Sequence, residues 1–402
     1  MKSATFSSST PGSYTISVAS VTGGKDGSLW ETAPAEFMLI VNPEPTPTPV
    51  PDTTPPEISY TISGTEGSNG WYVSNVSVEW TVTDPESEVT IDEGCEDTTI
   101  DSDTGGVTLI CTASSAGGTS SQSVTIKRDA TAPTITGSRS PDPNANGWNN
   151  TDVTVSFTCD DNLSGVASCS GPVTLSDEGA GQSVTGTAVD NAGNSATATV
   201  SGINIDKTAP TITITTPADG ATYTLNQSVA ASYSCSDSLS GVASCTGPVP
   251  NGSNIDTSTV GSKTFTVNAT DNAGNTATKT HSYRVIYSWA GFFRPVDNPP
   301  IVNVAKAGSA IPVKFSLSGF QGMNIFASGY PRAVQTNCSS GELTDVIDET
   351  VTAGGSSLNY DPLVDQYIYV WKTDKAWAGQ CRQLQVQLVD GTLHVANFRF
   401  TK

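Results

Sequence analysis

Carboxylates and cysteines at repeating spacings are the residues of this chain best placed to do chemistry. A D-x-T-x-P run begins at Asp52, Asp129 and Asp206, 77 residues apart each time. In the second and third copies a D-x-x-S-G run follows, holding Asp161 and Asp237. A D-N-A-G-N run comes later and holds Asp190-Asn191 and Asp271-Asn272. Three carboxylates, a carboxamide and main-chain carbonyls would supply about six or seven hard oxygen ligands, the donor set that calcium takes. Asp129, Asp161, Asp190 and Asn191 form one candidate set, and Asp206, Asp237, Asp271 and Asn272 the other. The competing reading is that these side chains cap their own turns by bonding nearby backbone, as Asp and Asn do in most hairpins. The first copy carries Asp52 and Asp84 but has Ser114 in the third position. It is expected to bind calcium least.

The eight cysteines stand at positions 95, 111, 159, 169, 235, 245, 338 and 381, two to each segment of the chain. None forms a C-x-x-C pair, which argues against zinc. Read as one bridge per segment, they pair Cys95 with Cys111, Cys159 with Cys169, Cys235 with Cys245 and Cys338 with Cys381. Such bridges imply an oxidising compartment, and each short loop closed this way adds about 2–3 kcal/mol of stability. Catalysis has little to work with. His281 and His394 are the only histidines, both in strand-like runs, and no G-x-S-x-G, H-E-x-x-H or phosphate-loop pattern occurs. The acidic pair Asp160-Asp161 has only Ser236-Asp237 as its counterpart in the next copy. The chain is therefore read as a non-enzyme. Gly70-Trp71 and Gly147-Trp148 offer rings that either stack on sugars or cover a thin core, and Thr222-Tyr223 stands in the third copy. Trp371, Trp377 and Arg382 offer either a ligand patch or packing around the last cysteine pair.

The elements that must position these groups are strands. Segments 152–159 (DVTVSFTC) and 76–80 (VSVEW) alternate with period two, and Thr, Val and Ser dominate throughout. Asn-Gly, Ser-Gly and Asn-Ala-Gly-Asn runs supply the positive φ angles of tight turns. About seven short strands per repeat is the pattern of a compact Ig-like β-sandwich. In that fold the start of the chain, the B–C loop and the F–G hairpin share one end, which would bring the three acids of each set together.

The 402 residues carry a net charge of −21, and hydrophobic residues make up 36%. Residues 1–287 hold 9 Lys+Arg against 30 Asp+Glu, while 288–402 hold 9 of each. So acidic a surface argues against nucleic acid and anionic membrane as partners. No apolar run is long enough to span a bilayer. The last segment concentrates 14 of the 29 aromatic residues, which predicts a fuller core there.

The D-x-T-x-P, D-x-x-S-G-V and D-N-A-G-N runs over 52–287 resemble bacterial Ig-like and hyalin-repeat-like extracellular modules. The C-terminal segment is similar to the module named for a Pro-x-Lys-Phe signature, here Pro312, Val313, Lys314 and Phe315, with the WKTDKAWAGQCR run at 371–382. The first repeat departs from the pattern, with Asp84-Pro85-Glu86-Ser87-Glu88 and Ser115-Ala116-Gly117-Gly118 in place of the two later motifs. The resemblance implies a secreted or surface-attached bacterial protein and no enzymatic activity.

The expected organisation is all-β: tandem Ig-like β-sandwiches in a beads-on-a-string array with a C-terminal β-sandwich cap. Residues 1–42 would be the last strands of a partial sandwich, at ATFSSS, SYTISVASV and AEFMLIV, and 43–51 a Pro/Thr-rich linker. Repeats would occupy 52–128, 129–205 and 206–287, and the cap 288–402. Met1-Lys2 leads straight into Ser and Thr with no signal-peptide pattern, which together with the partial sandwich suggests a fragment of a longer chain or a mis-called start. The expected role is an extracellular structural or adhesion-type stalk at the bacterial surface, a monomeric elongated chain that meets glycans or proteins. Two alternatives remain: the accessory tail of a secreted enzyme, and a carbohydrate- or protein-binding module in the cap.

Overall fold

Alternating Thr, Val and Ser residues leave one face of each segment apolar, and such segments are stable only as paired, stacked strands. The computed structural model describes residues 12–16, 37–41, 50–351 and 355–402. The described residues form tandem β-sandwiches, and the single helical segment among them is a 3-10 turn at Lys375–Trp377. None of the described helices is long and apolar enough to cross a membrane. The chain divides into two compact units, one of 1–133, 160–167 and 189–195, the other of 134–159, 168–188 and 196–402.

In the first unit, Gly12–Ile16 pairs antiparallel with Phe37–Val41. The ATFSSS strand expected near the start and most of the linker lie outside the described residues. Beyond them, Val76–Thr83 is flanked by Glu57–Ser63 and Thr98–Ile100, and Thr104–Ser115 by Thr90–Glu93 and Gly118–Arg128. The two three-stranded sheets enclose a thin core of Val76, Val78, Val124 and Ile126, with Tyr60, Tyr72 and Trp80 packed against it. Tyr60 meets the edge of Trp80 with ring centroids 5.3 Å apart.

The second unit holds three further cores. Val153, Val155, Val184, Ile203 and Ile205 form the first, where strand Val153–Asp160 lies between Thr134–Ser140 and Val173–Leu175. Ile212, Ile214, Phe265, Val267, Tyr283 and Val285 belong to the next. Here Thr276–Ile286 pairs with Gly261–Asp271 in antiparallel register and with Ala221–Thr224 in parallel register. The last core is larger and aromatic: Phe315, Tyr367, Phe398 and Phe400 are fully buried, with Trp371 beside them. A four-stranded sheet faces a five-stranded one, and Val302–Lys306 runs parallel to both of its neighbours, Leu393–Thr401 and Thr344–Val346.

All eight cysteines are bonded, as Cys95–Cys111, Cys159–Cys169, Cys235–Cys245 and Cys338–Cys381. The first three close 16, 10 and 10 residues, and the last closes 43. In the thin-cored repeats, where few side chains are buried, these links add stability that the apolar interior supplies only sparsely.

Candidate metal site and repeat junctions

Three strand ends deliver the acids of the second repeat. Asp129 follows Gly118–Arg128, Asp161 follows Val153–Asp160, and Asp190 closes Gly179–Asp190. Their carboxylate oxygens lie within 4.8 Å of one another. Asp129 is fully buried and Asp190 is 1% exposed. Among the described residues, the hydrogen-bond donors to these three carboxylates are all neutral. Asp190 Oδ1 accepts from the N–H groups of Gly193 (2.7 Å) and Asn194 (2.8 Å). Asp129 accepts from Thr131 N–H (3.1 Å) and Ser164 N–H (3.2 Å). Asp161 Oδ1 accepts from Gly165 N–H (2.6 Å).

The third repeat repeats the geometry. Asp206, Asp237 and Asp271 bring their oxygens within 4.8 Å. Asp271 Oδ1 accepts from Gly274 and Asn275 at 2.7 and 2.8 Å, and Asp237 from Gly241 at 2.6 Å. Turn capping and convergence of charge therefore coexist in the same residues.

Asn191 and Asn272 donate Nδ2 to the carbonyls of Ser164 and Ser240, both at 2.8 Å, and so tie the mid-repeat loop to the hairpin. The carboxamides that bridge the acids are those of Asn194 and Asn275, which the sequence reading passed over. Asn194 Nδ2 donates to Asp190 Oδ2 and to the Asp129 carbonyl, both at 2.9 Å, and Asn275 does the same at 2.8 Å in its repeat. The signal was present, because the last Asn of D-N-A-G-N recurs in both copies.

The first repeat differs in donors rather than lacking acids. Asp52, Asp84 and Glu86 converge within 4.8 Å, Glu86 standing two residues beyond Asp84, where Leu163 and Leu239 stand beyond their own Asp. Hydroxyls join these acids: Ser87 Oγ and Ser115 Oγ donate to Asp52 Oδ2 at 2.6 and 3.2 Å, and the Thr54 hydroxyl donates to Glu86. Ser115, not the expected Ser114, holds the strand end that Asp190 holds in the second repeat, and the Ser114 hydroxyl donates to Asp92 instead. The Ser87 hydroxyl leads in holding the Asp52 carboxyl below its ordinary value. The Glu86 N–H and the nearby Ser115 hydroxyl lower that of Asp84, yet its Oδ2 is buried with no donor in bonding geometry among the described residues.

These acids sit where one repeat hands over to the next. Asp129 N–H donates to the Tyr72 carbonyl, and Asp206 N–H to the Asn149 carbonyl, both at 2.9 Å. Tyr72 and Asn149 also form parallel bridges to Arg128 and Ile205. Each junction has a second hold. The Asn-Gly-Trp loop of one repeat reaches the D-N-A-G-N hairpin of the next: Ser68 N–H donates to the Ala192 carbonyl (2.7 Å) and Asn69 Nδ2 to the Asn191 carbonyl (2.9 Å). In the next pair Asn144 and Asn146 donate Nδ2 to the Asn272 carbonyl at 2.8 and 3.2 Å. Gly67 allows the close approach, since a Cβ placed there would lie 2.2 Å from the Ala192 carbonyl oxygen. A third hold is an acid beside the Thr of the D-x-T run. Asp103 accepts from Thr131 Oγ1 (2.5 Å), Ala130 N–H (2.9 Å) and Arg128 (2.5 Å), and Glu178 accepts from Lys207 N–H (2.6 Å) and Thr208 Oγ1 (2.9 Å). Burial pushes the Asp103 carboxyl up, but the Thr131 hydroxyl, the Ala130 N–H and the Arg128 guanidinium together hold it below its ordinary value.

Trp71 is half-buried, with the Lys127 ammonium 5.8 Å from its ring centre. In the cap Trp371 is 5% exposed, its ring against Phe398 and Phe400, so it belongs to the core. Trp377 packs on Trp371 and Phe400 and is capped by the Arg382 guanidinium at 4.4 Å. Trp377 thus lies between the other two residues that the sequence grouped with it.

No protein-family model matches the chain, and a search of curated proteins gives no match. Among solved structures it is similar to the extracellular domain of Protocadherin GammaB4, with 14% identity, a TM-score of 0.27, and 92% of this chain and 70% of that one covered. It is similar to the N-terminal eight Ig domains of Down Syndrome Cell Adhesion Molecule, with 12% identity, a TM-score of 0.33 and 86% of this chain covered; this chain spans 49% of that one. A tetra-tandem repeat from the extending region of a large adhesion protein gives 14% identity, a TM-score of 0.28, and 85% and 98% coverage. Scores this low identify no function.

Proposed function

We propose that this is a non-catalytic extracellular structural chain of the adhesion type. It would be built from repeats at 52–128, 129–205 and 206–287 and an end module at 288–402, and it would space or present modules at a bacterial surface, where glycans or proteins are its partners. Four disulfides support an oxidising compartment. Calcium at the acidic groups is part of the same reading. The observation that carries it is the double engagement of Asp129 and Asp206: each contributes a carboxylate to a three-acid group while its own N–H is bonded to the preceding repeat.

The residues fit a hard divalent cation. Three carboxylates gathered around buried members, with neutral donors, carry repulsion and desolvation that a cation offsets. Asp129, Asp161 and Asp190 would hold it in the second repeat and Asp206, Asp237 and Asp271 in the third, with Asn194 and Asn275 fixing the carboxylates from behind. The cation would supply positive charge and nothing else; its effect would be to make the junction rigid.

The test uses the full chain, stripped with a chelator and titrated calorimetrically with calcium chloride. Binding heat and a rise in melting temperature are expected, and both should vanish in the Asp190→Asn, Asp271→Asn double variant. Asparagine still accepts the hairpin N–H bonds, so the substitution removes charge while keeping the turn cap. Absence of heat and of any thermal shift in the unaltered chain would overturn the calcium reading.

A further inference from the structure

We propose that Asn69 is a spontaneous modification site, at which deamidation releases the latch between the first and second repeats. The chain holds three Asn-Gly pairs, at Asn69, Asn146 and Asn251. In such a pair the glycine backbone nitrogen attacks the asparagine Cγ. The N–Cγ bond forms, the Cγ–Nδ2 bond breaks, and ammonia leaves. Solvent water then opens the cyclic imide at either carbonyl to give aspartate or isoaspartate. The reaction requires a glycine N–H free to lose its proton, an asparagine Cγ free to swing toward it, and access for water.

The three pairs differ in these respects. Gly252 N–H donates to the Ala231 carbonyl (2.8 Å), and the Asn251 side-chain oxygen accepts from Tyr233 N–H (2.9 Å), so both reactants are tied. Gly147 N–H donates to the Asn144 carbonyl at 2.9 Å, so the nucleophile of the second pair is tied. Gly70 N–H has no partner among the described residues. Both Asn69 and Gly70 are exposed, and a Cβ placed on Gly70 would meet nothing within 4 Å. The one restraint on Asn69 is its own latch bond, Nδ2 to the Asn191 carbonyl at 2.9 Å, at an exposed surface.

That restraint makes the chemistry consequential. Either product replaces a donor by a carboxylate that faces a carbonyl oxygen, beside the acids of the second repeat. The isoaspartate form also lengthens the backbone by one carbon next to the Ser68 N–H to Ala192 bond. The latch cannot re-form, so modification is a one-way loosening of that junction. The inference rests on the latch geometry and is independent of calcium.

The experiment ages the full chain in mildly alkaline buffer and maps peptides by mass for the amide-to-acid change, with enzymatic methylation to score isoaspartate. The expected order is Asn69 first, Asn146 later and Asn251 last. In fresh Asn69→Asp protein, hydrogen exchange at the Ser68 N–H should accelerate roughly tenfold, as loss of one junction hydrogen bond implies. Conversion of Asn146 or Asn251 ahead of Asn69, or unchanged exchange at Ser68 in Asn69→Asp, would overturn the proposal.

Discussion

At the scale of single residues, most polar side chains at the junctions do two jobs, and only one of the two is visible in sequence. Asp129, Asp161 and Asp190 were legible because charge recurs at fixed spacing and because an Ig-like sandwich gathers those loops at one end. Asn194 was not, because a terminal Asn in a hairpin looks like turn chemistry until its Nδ2 is seen on the Asp129 carbonyl. Glu86 escaped for the opposite reason: it stands where the other repeats have leucine, and an aligned comparison hides it. His394 shows the same limit. Its alternating place in a strand is plain, but not that its ring stacks on Trp289 at 3.7 Å, with Phe315 on the same indole at 4.8 Å. Burial lowers its pKa from 6.5 to about 4, the Asp390 carboxylate opposing this. The folded state therefore favours the neutral ring. Its contribution is full above pH 6.5, the unfolded value, and is lost as pH falls toward about 4. Urea midpoints of the end module should fall over that window in the unaltered protein and fall less in His394→Phe, which keeps an aromatic stack; parallel curves would show that the ring protonates freely in the fold.

At the scale of elements, strands with period-two alternation were readable, and so were the hairpins marked by Asn-Ala-Gly-Asn. The parallel pairings were not. Ala221–Thr224 lies parallel to Thr276–Ile286, and Val302–Lys306 parallel to two neighbours, because those partners are far apart in sequence and only packing selects them. The disulfides staple elements that bury little. Cys235–Cys245 links Ser232–Ser236 to Val242–Thr246, the former in a sheet of two strands. Replacing both cysteines by alanine should lower the stability of that sandwich by about 2–3 kcal/mol, the loop-closure value for a span of this size. Denaturant titration of the double variant checks this; an unchanged midpoint would mean the sheets hold without the link.

At the scale of the whole molecule, apolar content is unequally shared. The core of the end module includes Phe315, Tyr367, Phe398 and Phe400, whereas the fully packed interior of the first repeat is Val76, Val78, Val124 and Ile126. Aromatic-rich burial removes more surface from water, so the end module should melt last and the first repeat first. Calorimetric scanning of the full chain should resolve more than one transition, and Phe398→Ala should shift the highest one downward and leave the lowest in place. A single transition moved as a whole by that substitution would mean that the repeats and the end module unfold as one.

The parallel strand pair of the third repeat bears on what happens when the protein is pulled. Ala221–Thr224 lies close behind the start of that repeat and Tyr283–Ile286 close to its end, side by side and pointing the same way. Tension applied at the two ends drags these segments past one another, so their hydrogen bonds are loaded together in shear and cannot open one at a time like a zip. Rupture then requires several bonds to fail at once, which raises the barrier that governs forced unfolding. Pulled from its two ends, the third repeat is therefore expected to give way at a higher force than a sandwich whose terminal strands peel apart bond by bond.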